Sequence, residues 1–247
     1  EKMKKILALV LTLTFVFALT ACGGADPAAK SEGVMTWAEY DAAALDSEVV
    51  IETYVQDAQG WWNDSISLYT QDSEGGYFIY NAVCPEEMSK ELTAGQKIRV
   101  TGTKTEWAGE VEVAEGATIE ILDGFYAAKP MDATKLLGTE DLIKHQNKLV
   151  SFKDMTVEAS KDAEGTEKAF LYGWDGSGVE GSDADLYFNA SVGGNTYTFV
   201  IEYYLCGPDT DAYKAVQNLK VGDKVDMTGF LYWYEGAQPH ITEVIVK

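Results

Sequence analysis

Arginine is almost missing from these 247 residues: Arg99 is the only one, and 19 Lys+Arg stand against 40 Asp+Glu, for a formal charge of −21. Proteins that coat nucleic acid do so by neutralising phosphates with lysine and arginine. A general phosphate-binding role is therefore disfavoured. Cysteine is also scarce, and three residues are too few for a disulfide scaffold. The two histidines, His145 and His240, sit in neither a zinc-ligand nor a nucleophile motif, and Gly-x-Ser-x-Gly, phosphate-loop and Cys-x-x-Cys patterns are absent. Among 40 acids, no pair is marked out for glycoside hydrolysis. The expectation is a protein that is not an enzyme and needs no cofactor. Aromatic residues, by contrast, make up 12 % of the chain and hydrophobic ones 46 %, which excludes a disordered polypeptide. The length suits one large domain or two small ones.

There is a single long apolar run, Ile6 to Leu19, preceded by Lys4 and Lys5. At about 14 residues it is short of the roughly 20 needed to cross a bilayer, but it suits the core of a secretory signal. It ends in Leu19-Thr20-Ala21-Cys22, followed by Gly23-Gly24. This resembles the lipobox of bacterial lipoproteins. The resemblance implies a signal peptide over residues 1–21, a lipid on Cys22 and attachment to the extracytoplasmic face of the cell membrane. Residues 1–21 carry three lysines and one glutamate, so their removal takes the charge from −21 to −23. The small, polar segment 22–34 reads as a flexible tether that lets an acidic body stand off an anionic membrane.

Leu92-Thr-Ala-Gly95-Gln-Lys97-Ile98-Arg-Val100-Thr101-Gly102 parallels Leu219-Lys-Val-Gly222-Asp-Lys224-Val225-Asp-Met227-Thr228-Gly229 at a constant offset of 127 residues, and the match extends to Gly109 and Gly236. Cys84-Pro85 and Cys206-Gly-Pro208 follow similar apolar stretches in the two halves. The chain reads as two copies of one unit, 35–127 and 128–247. Alternation and turn signals predict a short helix at 36–44 and strands at 49–55, 65–69, 77–80, 97–103 and 118–122, with a helix from Pro85 to Leu92. In the second copy the strands fall at 149–157, 186–188, 197–203, 225–231 and 241–246, with a helix at 211–219. Strand-strand-strand-helix-strand-strand resembles the OB-fold, a five-stranded Greek-key barrel. The fold class expected is all-β with short helices, two such barrels in tandem; a different small barrel or a sandwich is the competing arrangement.

In OB-folds the ligand lies across strands two and three, framed by the loops between strands one and two and strands four and five. Trp61, Trp62 and Trp107 fall in those loops of the first copy, and Trp174, Trp233 and Tyr234 in those of the second. Such rings either stack on a ligand's flat face or fold back to plug the barrel end. If Ile66 and Leu68 point inward, Ser65, Ser67 and Tyr69 point outward; Tyr187, Thr198 and Glu202 do so in the second copy. The candidate ligand residues are therefore Trp61, Trp62, Tyr69, Trp107, Trp174, Tyr187, Trp233 and Tyr234. Asp175, Glu180, Asp183 and Asp185, in a Gly/Ser-rich loop, are weak calcium candidates without EF-hand spacing, as are Asp57 and Asp64. Cys84 and Cys206 read as small buried residues, with an inter-domain disulfide, metal ligation or a reactive thiol as the alternatives. The expected role is a monomeric binding module for an oligosaccharide or other small polar ligand. Single-stranded nucleic acid held in a local groove of Lys97, Lys104, Lys220 and Lys224, or an envelope protein served by an adaptor, are the alternatives.

Overall fold

The computed structural model describes residues 26–247. Cys22 and the lipobox lie outside them. The first barrel is built from β1 (Glu48–Ala58), β2 (Ser65–Gln71), β3 (Gly76–Val83), β4 (Gln96–Trp107), β5 (Glu110–Val113) and β6 (Thr118–Phe125). Helix α1 (Trp37–Ala42) precedes them, and α2 (Glu86–Ser89) separates β3 from β4. Strand β1 pairs with both β2 and β4, β2 with β3, and β3 runs parallel to β5 and β6, which closes the sheet. Strands β5 and β6 together form the fifth OB strand. Both pair with β4, from Trp107↔Glu110 to Lys104↔Val113 and again from Thr101↔Thr118.

The second barrel repeats the scheme. After a two-residue strand β7 (Met131–Asp132) come β8 (Leu149–Glu158), three short pieces β9 (Ser160–Lys161), β10 (Glu167–Lys168) and β11 (Leu171–Tyr172), then β12 (Leu186–Val192), β13 (Asn195–Ile201), helix α3 (Asp211–Gln217), β14 (Lys224–Phe230) and β15 (His240–Val246). Closure runs β8–β12–β13–β15–β14–β8, with β13 and β15 parallel. This is the OB strand order, twice. The sequence repeat has a concrete meaning here. Gly95 and Gly222 both take positive φ, at 92° and 95°, a conformation that costs glycine no steric strain. Their N–H groups donate to the carbonyls of Val55 and Val157, in the C-terminal half of the first strand of each barrel.

Each barrel has its own core. Ile51, Leu68, Ile79 and Ile98 anchor the first, Phe152, Phe188, Phe199 and Met227 the second. Cys84 lies in the first core and Cys206 in the second, both as free thiols.

Two sequence expectations need correction. Residues 30–35 are docked rather than forming a free tether: Lys30 is buried against Asp72 and the Glu52 carbonyl, and Met35 bridges to Ile51. Asp72 is fully buried, and a buried carboxylate requires a counter-charge. The lysine groove is not assembled either. Lys97 pairs with Glu52 at 2.9 Å, Lys104 is buried with its ammonium on the carbonyls of Tyr40, Asp41 and Ala43, and Lys224 donates to Thr156. Two of the four lysines, Lys97 and Lys104, are thus consumed locally, while Lys220 and Lys224 stay exposed.

Candidate functional site

The outward faces of the two barrels meet. Tyr69 does point away from its own core, as alternation requires, yet it is only 1 % exposed. It stacks on Phe230 at 4.7 Å and hydrogen-bonds His240 Nδ1 at 2.7 Å. Phe78 packs edge-on against Tyr232. Backbone bonds add to the joint: Gly60 N–H to the Tyr204 carbonyl, and Glu235 N–H to that of Ala108. The half of the first barrel's β2–β3 face nearest Tyr69 is therefore covered by the second barrel.

The other half stays open and forms one wall of a cleft of about 1110 Å³ between the barrels. Ser65, Ser67, Tyr80 and Asn81 of β2 and β3 line it, with Trp62 and Trp107 at its edges. The opposite wall comes from the second barrel: Trp174, Tyr187, Tyr204, Tyr232 and Tyr234, with Gln238 and His240. Trp62 and Trp174 are each 78 % exposed and Trp107 57 %, large apolar faces held in water at a cavity mouth. Trp107 is held against Tyr234 at 5.2 Å.

Five of the eight candidate ligand residues thus converge: Trp62, Trp107, Trp174, Tyr187 and Tyr234. The remaining three are structural. Trp61 packs on the first core and donates its indole N–H to the Cys84 carbonyl at 2.8 Å. Trp233 packs on the second core, its backbone N–H bonded to Glu110 across the joint. Tyr69 is sealed beneath it. Tyr80, missed in the sequence reading, was signalled by the alternation Tyr77-Phe78-Ile79-Tyr80, in which Tyr77 and Ile79 are core residues. Tyr204 and Tyr232 lie in irregular chain and carried no such signal.

The titratable groups lining the cleft are acidic apart from the tyrosines and His240. They are Asp183, Asp185, Glu202 and Glu235, and no lysine or arginine is among the lining residues. Burial raises Glu202 to about 7, with Asp185 nearby pushing the same way and the N–H groups of Tyr204 and Leu205 opposing. Burial also raises Asp185, whose Oδ1 accepts the Tyr203 N–H. Both carboxylates therefore hold the turn that leaves β13. Burial lowers His240 to about 3, so its imidazole is neutral.

The calcium candidates do not converge. Asp175 caps its own turn by accepting from Ser177, and among the described residues no group of three or more His, Cys, Asp or Glu side chains is placed to hold a metal ion.

No protein-family model and no curated protein matches the chain. It is similar to solved HIN-domain structures. One is described as the Ifi202 HINa domain in complex with 20-bp dsDNA, at 11 % identity over 81 % of this chain and 98 % of that one, with a TM-score of 0.35. Another is a murine DNA-binding protein bound with dsDNA, at 10 % identity over 80 % and 94 %, TM-score 0.36. A third is the p204 HINb domain, at 8 % over 79 % and 94 %, TM-score 0.34. A likeness at this level leaves ligand and chemistry to the cleft itself.

Proposed function

We propose that the chain is a lipid-anchored extracytoplasmic lipoprotein whose two barrels form a non-catalytic binding module for an oligosaccharide or other small polar ligand, seated in the inter-barrel cleft. The observation that carries this reading is the convergence of five sequence-selected aromatic residues on one open cavity. Exposed flat rings with interspersed Asn, Gln, Ser and Tyr groups suit sugar rings, which present apolar faces and hydroxyl edges. A non-catalytic role is supported by Asp185 and Glu202, the most buried acids in the cleft, being engaged with backbone N–H groups. Anchoring is supported by Lys4-Lys5, the apolar run 6–19 and the Leu19–Cys22 motif.

Tryptophan fluorescence of the full chain in detergent tests the ligand class, titrated with neutral glycans and with single-stranded oligonucleotides at low and high salt. The expected result is an emission shift with a glycan that salt leaves unchanged and that Trp174→Ala removes. A shift with oligonucleotide alone, lost at high salt, would transfer the function to nucleic acid. Silence throughout, with one envelope protein recovered on pull-down, would make the chain an adaptor.

A further inference from the structure

We infer that the cleft prefers ligands bearing an ammonium group, and that an amine-bearing sugar oligomer is the class it accepts best. This rests on the cleft being the ligand site and specifies what that site selects. Aromatic faces attract cations through the ring quadrupole as well as stacking on sugars. Here they share the cleft with the carboxylates of Asp183 and Glu235, while Asp185 and Glu202 are taken up by backbone N–H groups, and no lining lysine or arginine competes for the two exposed acids. Asp183 and Glu235 are exposed at the cleft, Asp183 with the Tyr203 hydroxyl beside it.

His240 supplies the second observation. It is 5 % exposed, lines the cleft and stacks on Tyr232 at 4.1 Å. His240 Nδ1 meets the Tyr69 hydroxyl at 2.7 Å, and with that hydroxyl donating, the imidazole proton sits on Nε2. That nitrogen makes no hydrogen bond among the described residues. A ligand hydroxyl or carbonyl oxygen would satisfy it. The site thus offers a neutral donor at its floor and negative charge around it. An amino sugar, with hydroxyl acceptors and an ammonium donor, meets both; a phosphate or carboxylate meets only the first and is repelled by the second.

Calorimetric titration of the full chain in detergent, near pH 6, would compare oligomers of equal length built from glucosamine and from N-acetylglucosamine. The amine form is expected to bind about tenfold tighter. In an Asp183→Asn, Glu235→Gln double variant the ratio of the two affinities should fall below about threefold. Trp174→Ala should weaken both. Equal or tighter binding of the acetylated oligomer overturns the charge preference and leaves the cleft reading intact. Amine-oligomer binding that survives Trp174→Ala unchanged would be attraction to the acidic surface at large, which also overturns it. Failure of both oligomers removes the cleft reading together with the inference.

Discussion

At the scale of single residues, the strongest constraints are buried charges that the fold has matched individually. Asp72 is sealed from solvent, and every lone-pair direction is used: Oδ1 accepts the N–H groups of Glu74 and Gly75, Oδ2 accepts the Tyr77 hydroxyl and the Lys30 ammonium. Removing one partner of such a pair leaves an uncompensated buried charge and typically costs about 3–5 kcal/mol. Lys30→Met is therefore expected to destabilise the chain by that amount in urea denaturation. Adding Asp72→Asn should recover most of it, because the asparagine carbonyl still accepts the two turn N–H groups. If the single variant costs less than about 1 kcal/mol, Lys30 is ornamental and the segment before α1 is a free tether after all. A Glu52 carboxylate works similarly. Burial alone would raise it, but the Ser31 N–H, Lys97 and Arg99 bring it down to about 2.

At the scale of elements, the repeated Gly-x-Lys-…-Thr-Gly block shows how two glycines of one motif serve different ends. Gly222 turns the chain into β14 at φ 95° with open space around it, so alanine there meets only backbone strain, about 1–3 kcal/mol. Gly229 lies where β14 crosses β15, and a Cβ would run into the His240 backbone. Gly229→Ala is expected to push the two strands apart and displace His240. It should lose glycan binding measured by fluorescence at temperatures where the chain is still folded. Gly222→Ala should lose stability alone. Equal glycan affinity in both would separate His240 from the cleft floor. The motif made the barrels legible, because period-two alternation and positive-φ glycines are local properties. Helix α2 came out shorter than Pro85 to Leu92 predicts, four residues long, since Thr93 and Gly95 already belong to the turn into β4. Strand β5 was not legible at all. Its Glu110 and Glu112 look like solvent-facing acids, and only the second barrel, packed over them, makes them interior. The same docking explains why Tyr69 and Trp233 read as ligand residues: outwardness from one's own barrel is visible in a sequence, coverage by the neighbouring barrel is not.

At the scale of the whole molecule, joining two barrels through their outer faces buries acids that a lone barrel would leave in water. Burial raises Glu112 and Glu202 to about 7 and Glu110 well above the ordinary value near 4.5. Glu110 faces Glu112, Asn147, Gln146 and the Trp233 N–H; its Oε1 and the Asn147 Oδ1 are both buried without a donor. A proton on the carboxyl removes the buried charge. The folded chain therefore keeps protons up to neutrality that the unfolded chain releases near 4.5. Stability from these groups is complete below that value and is lost as pH rises toward 7 and beyond. Glu52, lowered to about 2, acts the other way: its contribution is present above about 4.5 and lost as pH falls. The melting temperature should thus be higher at pH 5 than at pH 8, by the equivalent of about 2 kcal/mol or more, the reverse of a chain held by surface ion pairs. Glu110→Gln keeps an acceptor for Trp233 and Gln146 and carries no charge to bury, so it should flatten the profile and stabilise the protein at pH 8. A melting temperature that climbs from pH 5 to pH 8, or a glutamine variant that melts lower than the parent at pH 8, would mean that Glu110 is ionised in the joint and that the barrels separate enough to let water reach it.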